Sequence, residues 1–284
     1  MRLNKNRVKK LVLAALKEDS SFDDITFKAL GIKTQKAVSA SIRANEDGIL
    51  CGVSVAAEVF STLSKKAVIS AEKGDSERIR QGDTVMRISA PARSLLAGER
   101  TALNILSHLS GIASLTGRYV KEVEKVNPSC RVYDTRKTLP GLRMLEKYAV
   151  RCGGGNGHRR DLAEQVLIKE NYLASSGLSV YQAVKRAKQS NPGKLIETEV
   201  EDGKQLSEAL AAGADIIMLD DFNLDQIQRS CAQVKRAYPG VVIEVSGGVT
   251  LKNIAQIAKA GADRISVGRL TSSAPSVDFS LRIG

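Results

Sequence analysis

Ala212-Gly213-Ala214-Asp215 runs straight into Ile216-Ile217-Met218-Leu219-Asp220, and the same arrangement recurs where Ala260-Gly261-Ala262-Asp263 enters Arg264-Ile265-Ser266-Val267-Gly268. A glycine that closes a helix, followed by a short apolar run ending in a polar or glycine residue, reads as the passage from helix to buried strand. Working outward, comparable runs stand at Arg131-Val132-Tyr133-Asp134, Val166-Leu167-Ile168-Lys169, Leu195-Ile196-Glu197-Thr198-Glu199 and Val242-Ile243-Glu244-Val245-Ser246. Most are followed by a helical run, the pattern of a parallel β/α barrel or a doubly wound sheet. Fewer than eight such strands are present, so the expected architecture is an incomplete parallel β/α barrel.

The N-terminal part reads differently. Val8, Leu11, Val12, Ala15 and Leu16 fall at helical spacing between Lys5 and Lys17, and an acidic turn follows at Glu18-Asp19 and Asp23-Asp24-Ile25-Thr26. Between Ala37 and Ala90, short alternating segments at 38–43, 67–71 and 84–89 are separated by turn signals such as Asp47-Gly48 and Gln81-Gly82-Asp83. A helix from Gly52 to Leu63 interrupts them, and another is expected from Pro91 to His108, carrying Glu99, Arg100 and Asn104. The fold class is therefore α/β: a small N-terminal α/β sandwich domain over 1–110, an incomplete barrel over 111–270, and a C-terminal tail over 271–284 that returns to the N-terminal domain.

The 284 residues, 43% of them hydrophobic, suffice for buried cores. No apolar run approaches the roughly 20 residues of a membrane span. The opening Met1-Arg2-Leu3-Asn4-Lys5 leads into a charged amphipathic stretch rather than a signal peptide, so a cytoplasmic protein is expected. A net charge of +12 asks for an anionic partner. Aromatics make up only 4% with no Trp, and stacking or helix-turn-helix motifs are lacking, which argues against nucleic acid and leaves small polyanions. Cys51, Cys130, Cys152 and Cys231 lie far apart with no CxxC pair, so neither a zinc site nor a disulfide framework is expected, and Cys152 reads as a packing residue.

Catalytic groups of β/α barrels collect at the carboxyl ends of the strands. Here those ends supply Asp134, Arg136, Lys137, Lys169, Glu199, Asp220, Ser246, Gly247, Gly248 and Gly268, with His158 and Arg159 on the loop after Cys152-Gly153-Gly154-Gly155. Singly, each reads as a helix cap, a surface lysine or a turn; the polar end recurring from strand to strand makes a site of them. Arg136, His158, Arg159 and Lys169 are cations suited to a rigid dicarboxylate. Glu199 and Asp220 are carboxylates among cations, able to hold Mg²⁺ through water, to bind ribose hydroxyls, or to stabilise a developing oxocarbenium. Ser246-Gly247-Gly248 and Gly268 offer backbone N–H groups to a phosphate.

The stretch Asp134-Thr135-Arg136-Lys137-Thr138-Leu139-Pro140-Gly141-Leu142-Arg143, then Cys152-Gly153-Gly154-Gly155, His158-Arg159 and Leu167-Ile168-Lys169-Glu170-Asn171, resembles the quinolinate phosphoribosyltransferases. The likeness runs almost end to end, through Gly98-Glu99-Arg100-Thr101-Ala102-Leu103-Asn104, Ser246-Gly247-Gly248-Val249 and Asp278-Phe279-Ser280. It implies a type II phosphoribosyltransferase, a glycosyltransferase that converts quinolinate and phosphoribosyl pyrophosphate to nicotinate mononucleotide, pyrophosphate and CO₂ with Mg²⁺, in de novo NAD biosynthesis. By that resemblance Arg136, His158, Arg159 and Lys169 are quinolinate ligands. Lys137, Glu199, Asp220 and the 246–248 turn are phosphoribosyl pyrophosphate ligands. Arg100 is similar to an arginine that a neighbouring subunit inserts into the site, which implies a homodimer or higher homo-oligomer with shared sites. The chain departs from the family pattern at Gly157, Tyr172, Asp221 and Ser272. The ModD-type molybdenum-transport-associated paralogues share the Asp134–Thr138 core, and a non-catalytic binder of phosphorylated ligands is a further alternative; Ser266-Val267-Gly268 and Asp278-Phe279-Ser280-Leu281 resemble the quinolinate enzymes better.

Overall fold

The computed structural model describes residues 3–31 and 36–284; Met1 and Arg2, part of the opening segment read above, lie outside them. The chain runs through helices α1 (Lys5–Glu18) and α2 (Ile25–Ala29), strands β1 (Ala37–Ala44) and β2 (Gly48–Ile49), and helix α3 (Val53–Leu63). Strands β3 (Val68–Ala71), β4 (Arg78–Ile79) and β5 (Thr84–Pro91) follow, then helix α4 (Ala92–Glu124), β6 (Arg131–Tyr133), α5 (Arg143–Cys152) and β7 (Val166–Ile168). Next come α6 (Glu170–Ser176), α7 (Val180–Ser190), β8 (Ile196–Val200), α8 (Gly203–Ala212), β9 (Ile216–Asp220) and α9 (Leu224–Ala237). The chain closes with β10 (Val242–Ser246), α10 (Ile254–Lys259), β11 (Arg264–Ser266), α11 (Arg269–Ser272) and β12 (Phe279–Ile283).

Two compact units emerge, one made of Met1–Gly117, Thr138–Gly154 and Leu270–Gly284, the other of Arg118–Lys137 and Gly155–Arg269. The sequence division at 110 and 270 differs from this partition chiefly because residues 138–154, with α5, associate with the N-terminal segments. In the first unit four strands form a sheet in the order β12-β1-β5-β3. β12 lies antiparallel to β1, from Ala40 opposite Ile283 to Ala44 opposite Phe279. Helix α1 buries Val8, Val12 and Leu16, one residue per turn on a single face, and the Asn4 side chain caps it by accepting from the Arg7 N–H. The acidic segment expected as a turn contains the short α2, capped by Asp24.

Helix α4 is the largest departure from expectation, running 33 residues to Glu124 instead of stopping at His108. Gly98, Gly111 and Gly117 do not break it, because each marks a close approach. A Cβ on Gly111 would lie 2.1 Å from the Pro275 carbonyl oxygen, and one on Gly117 would lie 2.5 Å from Ile49 Cδ1. The missing side chains admit neighbouring chain, which outweighs the roughly 1 kcal/mol that helical glycine costs.

The second unit is a six-stranded sheet in the order β6-β11-β10-β9-β8-β7, parallel throughout. The first strand in sequence lies beside the last, so the order is cyclic apart from an open seam between β6 and β7. A sheet wrapped most of the way into a barrel has this topology, in agreement with the expected incomplete barrel. All five residues of β8 are buried, as parallel strands covered on both faces require. Gly213 ends α8 in the left-handed conformation at φ 81°, as its motif predicted. The aspartate two residues later had no reading in the sequence. Asp215 accepts the Ile196 N–H at 2.8 Å and Asp263 accepts the Ile243 N–H at 2.9 Å, so each repeated motif ties the start of its strand to the strand beside it. Small shifts mark the other predicted ends: β8 begins at Ile196 and ends at Val200, β7 ends at Ile168, and β11 ends at Ser266. Among the described residues no helix is long and apolar enough to cross a membrane.

Candidate active site

Because the six strands are parallel, their carboxyl ends share one rim. Lys169 follows β7, Glu199 is the penultimate residue of β8, Asp220 ends β9, Ser246 ends β10 ahead of Gly247 and Gly248, and Gly268 lies just past β11. Asp134 through Lys137 leave β6. Of the residues read as a site from sequence, all but Arg100 belong to this unit.

On one side of this rim two of the cations stand close together. Arg159 is 7% exposed, and its Nη1 donates to the Gln165 carbonyl at 3.1 Å. Burial and the neighbouring Arg136 guanidinium hold it below the usual arginine range. Two guanidiniums gathered away from bulk water repel each other, and a ligand carrying carboxylates relieves that repulsion.

The carboxylate side carries the opposite tension. Glu199 is 4% exposed and ion-paired with Lys169. Burial, with a hydrogen bond to Glu170, pushes its carboxyl up to about 7 against the pull of Lys169. Burial and the adjacent Asp221 also raise Asp220, while Lys169 and Lys137 act the other way. Glu170 was quoted in the family motif but given no role in the sequence reading; the structure draws it into this group. These oxygens do not form a close-set ligand triad, whereas two such triads occur elsewhere among the described residues.

Where β9, β10 and β11 end, the backbone is tightly constrained. Asp221 has φ 53°, unusual for a residue with a side chain, and its N–H donates to the Ser246 carbonyl at 3.2 Å. Gly247 has φ 86°, and a Cβ there would meet Asp221 Oδ1 at 2.1 Å. Only glycine fits that turn. At Gly268 a Cβ would fall 2.8 Å from Lys137 Cδ, so this glycine lets the lysine side chain lie across the end of β11.

His158 lies deeper than the sequence implied. Its side chain is 7% exposed, with Nε2 3.2 Å from a Glu197 oxygen and 3.4 Å from Glu244 Oε1. Gln165 donates to Glu197 at 2.7 Å, Ser266 donates to Glu244, and Asp134 accepts the His158 backbone N–H at 2.8 Å. The Arg159 N–H, 2.7 Å from Nδ1, favours a lone pair there, while the carboxylates favour imidazolium. Burial alone would lower the ring's pKa, but Glu197 and Glu244 push it up to about 9. The available signal for this network was a charged residue inside apolar strand runs: Glu197 shares a face with Glu199, and Glu244 with Ser246.

The remaining predicted residue, Arg100, stands in the first unit, in the wall of a cavity of about 450 Å³ together with Glu18, Asp19, Asn104 and His108. His108 Nε2 in turn lies 2.9 Å from Glu146. Cys152 belongs to that unit as well, and its sulfur is grouped with Cys51 and Asp75, a proximity that the sequence spacing did not reveal.

Comparison with known proteins bears on this arrangement. The family models described as quinolinate phosphoribosyl transferase, N-terminal domain, and quinolinate phosphoribosyl transferase, C-terminal domain, match residues 24–110 and 112–282. A Bacillus subtilis protein named probable nicotinate-nucleotide pyrophosphorylase (carboxylating) is 38% identical over 99% of this chain and 95% of its own. The Mycobacterium leprae nicotinate-nucleotide pyrophosphorylase (carboxylating) is 39% identical over 94% of each chain. The solved structure of the Francisella tularensis nicotinate-nucleotide pyrophosphorylase superposes with a TM-score of 0.91 at 36% identity, covering 100% of this chain and 98% of that one.

Proposed function

The chain belongs to the quinolinate phosphoribosyl transferase family, and on that premise we propose that it converts quinolinate and phosphoribosyl pyrophosphate to nicotinate mononucleotide, pyrophosphate and CO₂ in NAD biosynthesis. The observation that carries the reading is the Arg136–Arg159 pair in the same unit as the Lys169, Glu199 and Asp220 group. One part suits a dicarboxylate, the other a phosphorylated sugar. The names of relatives matching nearly the whole chain support this reading over the molybdenum-transport paralogue.

In the proposed reaction Arg136, Arg159 and Lys169 hold the two carboxylates, and the charged His158 ring adds to the field there. Orientation brings the pyridine nitrogen in line with the ribose carbon as pyrophosphate departs. Glu199 and Asp220 face the ribose and stabilise the positive charge that develops there. The nitrogen–ribose bond leaves a cationic ring, which accepts the electron pair released as the adjacent carboxylate leaves as CO₂. The vacated ring carbon then takes up a proton. No covalent nucleophile is required. Lys137, the 246–248 turn and Gly268 receive the phosphates.

Magnesium fits the donor set, because Glu199 and Asp220 are hard oxygen ligands whose raised proton affinities leave room for a cation to replace protons. Two such carboxylates suit an ion that keeps much of its water shell. Bound there, it would neutralise charge on the departing pyrophosphate. Arg100, by the family resemblance, completes the site from a partner subunit, so a homodimer is part of the proposal. Both substrates are soluble anions, which suits a cytoplasmic enzyme.

The test is incubation with quinolinate, phosphoribosyl pyrophosphate and Mg²⁺, with nicotinate mononucleotide and CO₂ measured together. Loss of one charge-assisted contact costs about 1.5–3 kcal/mol, so quinolinate should be used at least about tenfold better than nicotinate. Equal turnover of the two acids would overturn the assignment.

A further inference from the structure

Three distant segments of the first unit bring Cys51, Asp75 and Cys152 together, with both sulfurs and a carboxylate oxygen within 4.8 Å of one another. Cys51 precedes α3 and is fully buried, while Cys152 ends α5 and is partly exposed. The surroundings fix both. Asp75 Oδ1 accepts the N–H groups of Gly52 and Val53, each at 2.9 Å, and its Oδ2 accepts the Tyr148 hydroxyl at 2.8 Å. The Cys51 N–H donates to Ser110 Oγ at 3.0 Å. Ser76 is held in the left-handed region at φ 76°, with its N–H donating to the Leu50 carbonyl at 2.9 Å. A turn strained in this way persists only because its surroundings over-determine it. Nothing in the proposed reaction uses these groups.

We propose that Cys51 and Cys152 are an exchangeable thiol pair that closes a disulfide on reaction with a low-molecular-weight disulfide. In the first step the Cys152 thiolate attacks one sulfur of that disulfide, its S–S bond breaks, and one small thiolate leaves and takes up a proton. In the second, Cys51 gives up its proton and its sulfur attacks Cys152, expelling the second small thiol. Two protein thiols are thus oxidised and one small disulfide is reduced to two thiols. Closing the bond draws the sulfurs to about 2.05 Å, and rotation of the Cys152 side chain supplies the approach.

The environment assigns the order of attack. A hydrogen bond from Cys51 leads the causes that bring the Cys152 thiol down to about 7; burial and Asp75 oppose, and Ser76 and Tyr148 assist. The same contact, with burial and Asp75, pushes Cys51 far up. Once Cys152 is capped, that contact no longer holds the Cys51 proton, and Cys51 becomes the resolving thiol. Cys130 and Cys231, pushed up by burial to about 12 and about 11, serve as internal controls.

The experiment incubates the reduced full-length chain with glutathione disulfide, traps free thiols with N-ethylmaleimide and maps the products by mass spectrometry. The expected product is a Cys51–Cys152 disulfide, lighter by two hydrogens and reversed by dithiothreitol, with Cys130 and Cys231 still free. In the reduced chain Cys152 should alkylate at least about ten times faster than Cys130 or Cys231. Cys51→Ser should stop the reaction at a glutathione adduct on Cys152, and Cys152→Ser should yield neither species. The proposal is overturned if Cys51 and Cys152 both stay alkylatable in oxidant, or if Cys51→Ser, folded by circular dichroism, gains no adduct.

Discussion

In the role proposed for it, Glu199 sets function against stability at a single carboxyl. Burial and Glu170 hold its folded-state pKa at about 7, above the ordinary value of 4.5. For an acid raised in this way the sign is fixed: its contribution to stability is fully present below pH 4.5 and is lost as pH rises through 7. Ionising the side chain at pH 8 with no metal ion bound costs on the order of 2–3 kcal/mol even beside Lys169. Glu199→Gln should therefore raise the melting temperature of the metal-free protein at pH 8 by about 5 °C and leave it nearly unchanged at pH 5. The same variant should lose activity at both pH values, since the amide cannot supply the charge that the ribose requires. Melts of wild type and variant across this range give the check, and a pH-independent difference would mean that the burial of Glu199 is not what raises it. His158 has the same sign by another cause: its contribution holds below 6.5 and disappears as pH rises through about 9.

At the scale of elements, the extent of α4 is where the structure departs furthest from the expected helix ending at His108. Gly111 and Gly117 both lie inside the helix, where other segments press against it. Gly111→Ala should destabilise by about 1–3 kcal/mol through overpacking on Pro275, despite the gain of about 1 kcal/mol in helix propensity. Gly203, in the first turn of α8 with open space where a methyl group would project, should instead accept Ala at no cost or gain up to about 1 kcal/mol. Thermal melts of the two variants separate the cases, and equal shifts would sink the packing account. The contrast shows why part of the molecule was legible. Period and turn chemistry gave α1, α3, β5 and all six barrel strands to within a residue or two, because these are local signals. The length of α4, the pairing of Cys51 with Cys152 and the His158–Glu197–Glu244 network each depend on what distant residues do in space. Charge at the strand ends marked Lys169, Glu199 and Asp220 in the sequence, whereas Glu197 and Glu244 stood out only as charges inside apolar strand runs, and nothing local showed that both meet at His158.

For the whole molecule, the distribution of the site over the chain carries the strongest consequence. The residues proposed to hold quinolinate and the phosphoribosyl group fall in one compact unit, and Arg100 falls in the other, in the wall of its own cavity. If the partner subunit's Arg100 completes each site, Arg100→Ala and Lys169→Ala proteins are both inactive for different reasons. An Arg100→Ala subunit keeps its own Lys169 and receives an intact arginine from a Lys169→Ala partner. Each hybrid dimer then holds one complete site and one lacking both groups. Random exchange makes half the dimers hybrids, so an equal mixture should recover about a quarter of wild-type activity. Mass-tagged subunits report whether exchange has occurred. Exchange with no recovery would place Arg100 in the service of its own chain, and recovery would tie catalysis to assembly, making activity fall on dilution below the dimer dissociation constant.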